Sequence, residues 1–294
     1  FSIFSRCNCL MKRLYLKAAF LFGAIVIPYL LFSFYAQAQQ QVEPVVVIPG
    51  IMGSWNWDVI KDTSVNPIVK LDGWSFSPGP PVYKNLVDTL KLAIGNEKVF
   101  IAFYDWRRSN IQNVKNYLKP VIDKAKAVSP TGKVNIVAHS MGGILARAYI
   151  ESADYQDDID QLITLGTPHF GSSDSYLVWE GANLSRYSPI YQVLMSGYLY
   201  YAANNGDLNL HNVVISSIPS IRELLPTYDY IKTLGATTLT STSALREQNP
   251  LLPTLNTESG LRKLYRSVIV TNIAGFDQQT NKLIFVQEPS ADEK

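Results

Sequence analysis

Five short apolar runs, rich in β-branched residues, recur along the chain and end at turn-forming or polar positions. They occupy residues 44–48, 99–104, 134–138, 161–165 and 266–273. Runs of this length without regular polar alternation are typical of strands that are buried on both faces, as in a parallel sheet. The pattern therefore predicts five strands of one sheet.

Helical periodicity follows the second run. Ser109 is a suitable N-cap, and the apolar residues after it recur at steps of three and four, namely Ile111, Val114, Leu118, Ile122 and Ala125. Residues 141–149 predict another helix directly after the third run. Strands that alternate with helices form βαβ units, so the sequence predicts an α/β fold with a mostly parallel sheet flanked by helices.

Residues 170–262 break this rhythm, because they contain many turn formers and no clean strand. A segment of this length between two sheet strands is too long for a connecting loop, so we predict an inserted cap, or lid. The core then comprises residues 39–169 and 263–294. Ten aromatic side chains either fill the core of the cap or, in addition, line an apolar groove: Phe170, Tyr176, Trp179, Tyr187, Tyr191, Tyr198, Tyr200, Tyr201, Tyr228 and Tyr230.

The amino-terminal region has the order of a secretory signal peptide. After Met11 come three early cations, an apolar run over residues 18–35 and a small-x-small tripeptide that ends at Ala38. This order predicts a signal peptide over residues 11–38, cleavage after Ala38, and a secreted or cell-envelope protein. The alternative is a retained membrane anchor, since the apolar run is just long enough to span a bilayer. Residues 1–10 precede the start methionine and are interpreted as upstream, non-native sequence.

Composition excludes intrinsic disorder and nucleic-acid binding. Apolar residues make up 47% and charged residues 17% of the 294 positions, which is enough for a packed core. The net charge of +2 comes from residues 1–38, which carry four cations and no acid, whereas the rest carries 22 basic and 24 acidic residues. Polyanion binding needs clustered Lys and Arg, so no nucleic-acid partner is predicted. No protein partner is evident.

The cysteines and histidines give no sign of a metal site. Cys7 and Cys9 lie in the leader, so the mature chain has no thiol. His139, His169 and His211 are the only histidines, and they lack the spacing of metal-binding motifs. We therefore predict neither a metal nor another cofactor.

A candidate nucleophile, Ser140, lies where the third predicted strand ends and a helix begins. Two positions before and after it stand Ala138 and Gly142, which are small enough for the sharp turn of a nucleophile elbow. Such a turn holds the serine in a strained backbone conformation and exposes its hydroxyl. The alternative for Ser140 is a helix N-cap. The adjacent His139 is expected to pack or to donate or accept a hydrogen bond instead of reacting.

Two backbone amides are candidates for an oxyanion hole. One is the N–H group of Met141, directly after the serine. The other is the N–H group of Ile51, in the glycine-rich loop 49–54 after the first strand, where the backbone can approach a substrate closely. The alternative for this loop is an ordinary turn.

Five segments, taken in order, resemble one family. Together they are similar to the lecithin:cholesterol acyltransferase-like branch of the α/β-hydrolases, which includes lysosomal phospholipase and phospholipid:diacylglycerol acyltransferases; they are PVVVIPGIMGS (44–54), YDWR (104–107), AHSMGG (138–143), LGTPHFGS (165–172) and ELLPTY (223–228). The resemblance covers roughly residues 44–275. It implies an α/β-hydrolase fold with a cap, Ser140 as the residue that attacks an acyl ester, and Ile51 and Met141 as the oxyanion amides.

Other matching residues are interpreted as scaffold. Asp105 and Arg107 are expected to form an ion pair behind the site, with Trp106 packed beneath it. His169 and His211 are poor candidates for the general base, because in this fold the histidine follows the last strand.

The acid and the histidine of a catalytic triad are not identified. The family continues to a Gly-Asp-Gly-Thr-Val-like turn and a later histidine, which are expected beyond Lys294. Asp277 is the only acid near the last predicted strand, but its surroundings do not resemble that turn. The chain is thus interpreted as a C-terminally truncated fragment of an active enzyme, with a degenerate enzyme as the alternative.

These observations predict a serine hydrolase that acts on fatty-acyl esters of lipids, either a lipase or phospholipase or an O-acyltransferase. Its expected partners are a lipid or acyl-ester substrate and a membrane or lipid surface. The main alternative is a catalytically inactive hydrolase fold that binds lipid or protein. A weaker one is a peptidase or a deacylase of glycolipid anchors. The sequence does not distinguish hydrolysis from transfer, nor does it give acyl-chain and head-group preference or oligomeric state.

Overall fold

The five predicted strands lie side by side in one parallel sheet, in the order 99–101, 45–48, 134–139, 159–165 and 269–273. The structure, a computed structural model, describes residues 24–29, 42–64, 68–78, 81–203, 209–276 and 280–287. The strands are β1 (Val45–Ile48), β2 (Ser54–Trp55), β3 (Ser75–Phe76), β4 (Val99–Ile101), β5 (Val134–His139), β6 (Ile159–Leu165), β7 (Ile231–Thr233), β8 (Ile269–Ile273) and β9 (Ile284–Val286). The predicted α/β architecture is thereby confirmed.

Ten α-helices lie within the described residues from 42 to 287. They are α1 (Trp57–Ile60), α2 (Lys84–Ile94), α3 (Asn110–Asn113), α4 (Lys119–Lys126), α5 (Met141–Ile150), α6 (Ser173–Gly181), α7 (Pro189–Ala203), α8 (Leu210–Ser217), α9 (Leu252–Leu255) and α10 (Glu258–Ser267), with 3₁₀ turns at Asn96–Lys98, Pro219–Leu224 and Thr242–Ala244. The helix α5 is buried along its whole length, because it packs against β1, β5 and β6 on one side and α3, α9 and α10 on the other.

Parallel pairing of β1 with β5 sets the position of the site. Ile48, the last residue of β1, lies beside Ala138 near the end of β5. The loop that follows β1 and the turn that follows β5 therefore leave the sheet at the same edge. Carboxyl ends of neighbouring parallel strands are where α/β proteins place their functional loops.

Two local predictions differ from the structure. The fifth strand begins at Ile269 instead of residue 266, because Arg266 and Ser267 form the last turn of α10. Ser109 caps α3 as predicted, since its hydroxyl accepts from the Ile111 N–H group. Ile111 itself is exposed, whereas Leu118 is buried, because a π-helical turn over Val114–Leu118 separates α3 from α4.

Residues 170–262 contain α6 to α9 and the first part of α10, so the predicted boundary at residue 262 falls inside that helix. They also contain β7, which the sequence did not predict and which pairs in parallel with β9. The aromatic side chains of this stretch divide into three groups. Trp179, Tyr198 and Tyr230 are buried, Phe170, Tyr200 and Tyr201 are exposed, and the other four are half-buried.

The chain divides into two compact units, Phe1–Val42 and Glu43–Lys294. In the first unit, the described residues 24–29 are helical. The rest of the predicted leader, with its cysteines and the cleavage site after Ala38, lies outside the described residues. Among the helices that are described, none has both the length and the apolar character needed to cross a bilayer.

Candidate active site

Ser140 occupies a tight turn between β5 and α5. Its backbone has φ +52° and ψ −125°, a region that non-glycine residues seldom adopt. Two hydrogen bonds hold this conformation: the Ser140 N–H group donates to the Leu165 carbonyl at 2.9 Å, and the Gly143 N–H group donates to the Ser140 carbonyl at 3.0 Å. Backbone strain of this kind costs about 1–3 kcal/mol and occurs mainly at functional sites.

The small residues around Ser140 permit a close approach of α5 to the sheet. A Cβ atom on Gly142 would come within 2.5 Å of the Pro49 carbonyl oxygen and 2.7 Å of the Ile48 carbonyl oxygen. Gly143 faces the side chain of Thr167 in the same way. The requirement for small residues therefore has a specific source, namely the backbone at the end of β1.

The loop after β1 lies directly against Ser140. It is closed by a hydrogen bond from the Gly53 N–H group to the Gly50 carbonyl, 2.9 Å long, and Met52 adopts φ +58°. A Cβ atom on Gly50 would lie 2.9 Å from the Ser140 Cβ atom. The next residue, Ile51, is therefore a neighbour of Ser140 in space.

Backbone N–H groups near Ser140 differ in their availability. The Gly50 N–H group donates to Tyr83 Oη at 2.9 Å, so it is already occupied. Met141 is the first residue of α5, and N–H groups in the first turn of a helix have no acceptor within the helix. The helix start also carries partial positive charge. The Gly50 N–H group is thus already used, whereas Met141 and Ile51 as the oxyanion donors stay a prediction.

The His139 side chain forms a hydrogen bond with Tyr83, as expected for a residue that does not react. Its Nδ1 atom lies 2.9 Å from Tyr83 Oη. The Tyr83 ring stacks on Phe76, with centroids 5.1 Å apart and an angle of 18° between the planes. Burial lowers the pKa of His139 and raises the pKa of Tyr83 to about 12, so both groups are neutral near pH 7.

The other two histidines, His169 and His211, form hydrogen bonds with groups other than Ser140. His169 Nδ1 lies 3.2 Å from Arg147 Nη1, and its pKa is lowered by burial and then by the charge of Arg147. His211 donates from Nδ1 to the Trp179 carbonyl oxygen at 2.8 Å. No hydrogen bond to Ser140 Oγ is formed within the described residues, and Asp277 lies outside them.

The predicted ion pair between Asp105 and Arg107 is confirmed. Arg107 Nε and Nη2 each lie 2.8 Å from one oxygen of the Asp105 carboxylate, and both side chains are almost fully buried. Arg107 also donates to Tyr198 Oη on α7, at 3.2 Å. Trp106 is buried beside the pair and donates from Nε1 to the Ser54 carbonyl oxygen at 3.0 Å. These residues fix the scaffold behind the β1 loop.

Sequence reasoning missed Tyr83. It precedes α2 in a proline-rich stretch without strand or helical periodicity, so no pattern marked it as part of the site. Only the fold brings its hydroxyl to Gly50 and His139.

Two hollows are lined in part by residues of α7. One, of about 290 Å³, is walled by Trp55 and Trp57 from the segment after the β1 loop and by Tyr198 and Tyr201 from α7. The other, of about 280 Å³, is lined by Tyr83 together with Phe76 and Tyr191 and so adjoins the hydrogen-bonded pair described above.

The described residues contain no group of three or more His, Cys, Asp or Glu side chains that are placed to hold a metal ion. The arrangement consists instead of a strained serine turn, the start of α5, the β1 loop against the serine, and a hollow lined in part by Tyr83. This combination suits nucleophilic attack on an apolar ester.

The family described as lecithin:cholesterol acyltransferase has a model that matches residues 71–245 of this chain. Among solved structures, the Tle4–Tli4 complex is similar at 21% identity, over 72% of this chain and 37% of the other, with a TM-score of 0.33. Phospholipase PlaB from Legionella pneumophila is 12% identical over 58% of this chain and 38% of the other, with a TM-score of 0.32. Staphylococcus hyicus lipase is 13% identical over 65% of this chain and 66% of the other, with a TM-score of 0.31.

The chain therefore spans less than two thirds of the length of each of these three proteins. A search of curated proteins by sequence finds no match.

Proposed function

Because the chain belongs to the lecithin:cholesterol acyltransferase family of α/β-hydrolases, we propose that it cleaves fatty-acyl esters of lipids with Ser140 as the nucleophile. The observation that supports this most directly is the positive φ of Ser140, between the end of β5 and the start of α5. A serine in such a turn is expected to present its hydroxyl at the edge of the sheet. The β1 loop comes close to Ser140 through Gly50.

The reaction begins when Ser140 Oγ attacks the carbonyl carbon of the ester and its proton passes to a general base. The carbonyl oxygen becomes an oxyanion that accepts hydrogen bonds from the N–H groups of Met141 and Ile51. Collapse of this tetrahedral intermediate breaks the ester bond, releases the alcohol and leaves an acyl group on Ser140. The family resemblance implies that the base is a histidine that follows the last core strand.

The acyl-enzyme is then resolved by one of two acceptors. Attack by water gives a free fatty acid, whereas attack by an alcohol gives a new ester. The hollow lined by Trp55 and α7 is almost wholly apolar, which favours an acyl chain as one of the groups that the protein binds. Assays with and without an added lipid alcohol, with quantification of free acid and new ester, separate the two outcomes.

The nucleophile is tested with Ser140→Ala in the complete gene product. We expect loss of hydrolysis of p-nitrophenyl acyl esters and loss of covalent labelling by a fluorophosphonate probe, because the reacting oxygen is removed. Ser185→Ala, which changes an exposed serine of the cap, is the matched control and should leave both unchanged. Retained hydrolysis in Ser140→Ala contradicts the proposal. Absent turnover with intact lipid binding in the unmutated protein favours the inactive binding module.

A lipid surface is the proposed site of action. Exposed aromatic and aliphatic side chains, among them Trp57, Val193 and Tyr201, border the larger hollow, and Tyr200 is also exposed on α7. Apolar groups that are exposed together in this way are typical of surfaces that contact lipid or protein.

Export is proposed on the basis of the leader alone. If residues 11–38 act as a signal peptide, the mature protein begins at Gln39. Amino-terminal sequencing of the protein from the cell envelope or medium tests this, and a retained leader points to a membrane anchor.

A further inference from the structure

We infer that Tyr83 is a positioning residue, which aligns the loop that carries the Ile51 N–H group with Ser140 by binding Gly50 on one side and His139 on the other. The inference rests on the proposed function, since it assumes that Ser140 reacts and that Ile51 donates to the oxyanion. It concerns a side chain that touches neither reacting atom.

The two hydrogen bonds of Tyr83 have defined directions. The Gly50 N–H group donates to Tyr83 Oη at 2.9 Å, so the phenol oxygen acts there as an acceptor. We assign the single phenol proton to a bond with His139 Nδ1, which lies 2.9 Å from the same oxygen. His139 is thereby assigned as the neutral tautomer with its proton on Nε2. Burial lowers the pKa of His139, which agrees with a neutral ring that accepts at Nδ1.

These bonds join the immediate neighbours of the two functional groups. Gly50 precedes Ile51, and His139 precedes Ser140, so one phenol oxygen connects the two backbone segments whose separation sets the width of the oxyanion site. Tyr83 is only 8% exposed. Its ring is held by stacking on Phe76 and by an edge contact with the His139 ring, whose centroid is 5.7 Å away.

The same geometry determines which N–H group of the β1 loop can donate to the oxyanion. Because Tyr83 takes the Gly50 N–H group, this group is withheld from the substrate, and the next N–H group along the chain is that of Ile51. Tyr104 provides a second attachment, since its hydroxyl donates to the Pro49 carbonyl at 2.9 Å. Removal of the Tyr83 hydroxyl alone should therefore make the β1 loop more mobile, while the bond from Tyr104 still holds it at Pro49.

A residue that only aligns an oxyanion donor affects the transition state more than the bound substrate. Tyr83→Phe keeps the ring and deletes both hydrogen bonds. We expect kcat for long-chain p-nitrophenyl esters to fall by about tenfold to a hundredfold, below the 10²–10³-fold effect of deleting an oxyanion donor, with little change in KM. The assay uses the complete gene product.

Tyr149→Phe is the matched control. This substitution also removes a buried tyrosine hydroxyl, which donates to Asp158 at 2.7 Å. Tyr149 is near the C-terminal end of α5, whereas Ser140 precedes the N-terminal end of that helix. The Tm of Tyr149→Phe should fall while its kcat stays at the unmutated value. Equal kcat values for Tyr83→Phe and the unmutated protein overturn the inference.

A second pair of variants tests the partner. His139→Asn keeps an acceptor oxygen close to the position of Nδ1, whereas His139→Leu does not. We expect His139→Asn to retain most of kcat and His139→Leu to resemble Tyr83→Phe; equal losses in both variants contradict the inference. Nitrogen-15 shifts of the His139 ring give a readout without turnover, because loss of the Tyr83 hydroxyl should move the Nδ1 resonance.

The outcomes separate this inference from the proposed function. If Ser140→Ala keeps its activity, the proposed function is wrong and the inference with it. If Ser140→Ala is inactive and Tyr83→Phe is fully active, only the inference is wrong.

Discussion

Gly50 lies directly against Ser140, so close that a Cβ atom on Gly50 would come within 2.9 Å of the Ser140 Cβ atom. The same added atom would lie 2.9 Å from His139 Nδ1, which is the atom bound by Tyr83. A side chain at position 50 would therefore separate the β1 loop from the serine turn. The absence of a side chain, and not backbone freedom, is what this glycine contributes.

The first prediction concerns this contact. Gly50→Ala should lower kcat for acyl esters by at least about tenfold, since a displacement of about 1 Å at a reacting centre can reduce the rate about a hundredfold. Steady-state kinetics on the complete gene product measure it. Gly181→Ala is the control, because a Cβ atom there meets nothing within 4 Å. Unchanged kcat in Gly50→Ala would show that the loop and the serine need not be this close.

The second prediction concerns the buried pair of Asp105 and Arg107. Asp105→Asn leaves the guanidinium buried without its carboxylate, so the free energy of unfolding should fall by about 3–5 kcal/mol. Urea unfolding measures the loss. Glu258→Gln breaks an exposed pair with Arg262 on α10 and should have almost no effect. A similar small effect in both variants would mean that Arg107 is held by its other acceptors alone.

Much of the sheet could be predicted because β1 is buried on both faces and β5 nearly so, whereas β8 at the edge of the sheet is largely exposed. The run at residues 134–138, for example, has no polar alternation, and the structure places β5 there. The turn at Ser140 was also marked by local sequence, since only small residues fit two positions away from it. In both cases the signal lies within a few neighbouring residues, although the contact that requires Gly142 to be small is with the backbone at the end of β1.

The remaining features depend on contacts between distant segments. Asn110 and Asn113 take buried positions that periodicity would assign to apolar residues, because Asn110 binds Glu223 and Asn113 binds backbone carbonyls. The pairing of β7 with β9 joins two three-residue strands that are too short to stand out in the sequence. The position of Tyr83 likewise depends on contacts with residues distant in sequence, Gly50 and His139.

The third prediction concerns the lipid surface. Trp57 and Tyr201 are 59% and 48% exposed on either side of the larger hollow. Replacing both with serine should weaken partition onto phosphatidylcholine vesicles by about tenfold or more, because apolar area that would enter the lipid is lost. Vesicle sedimentation measures this. Tyr265→Ser, at a residue that is 62% exposed on α10, is the control. Equal partition of all variants would place the lipid contact elsewhere.

The fourth prediction concerns the pH dependence of stability at Glu223, which is only 5% exposed. Its Oε2 atom accepts from the Asn110 N–H group at 2.8 Å and from Asn110 Nδ2 at 2.6 Å. Burial nevertheless raises the pKa of Glu223 above its ordinary value of 4.5, against the opposing effect of the hydrogen bonds from Asn110 and Ser109. The folded state therefore binds the proton more tightly than the unfolded state does. The contribution of Glu223 to stability is present below about pH 4.5 and is lost as the pH rises through the folded pKa.

Glu223→Gln isolates this effect, since its amide oxygen can accept both bonds from Asn110 without a buried charge. The free energy of unfolding of Glu223→Gln, relative to the unmutated protein, should rise between pH 4.5 and pH 7. Denaturant titrations at several pH values measure the difference. Glu180→Gln, at an exposed carboxylate on α6, should show no such trend. A difference that stays constant or falls with pH would mean that the hydrogen bonds from Asn110 and Ser109 outweigh burial and keep Glu223 ionised.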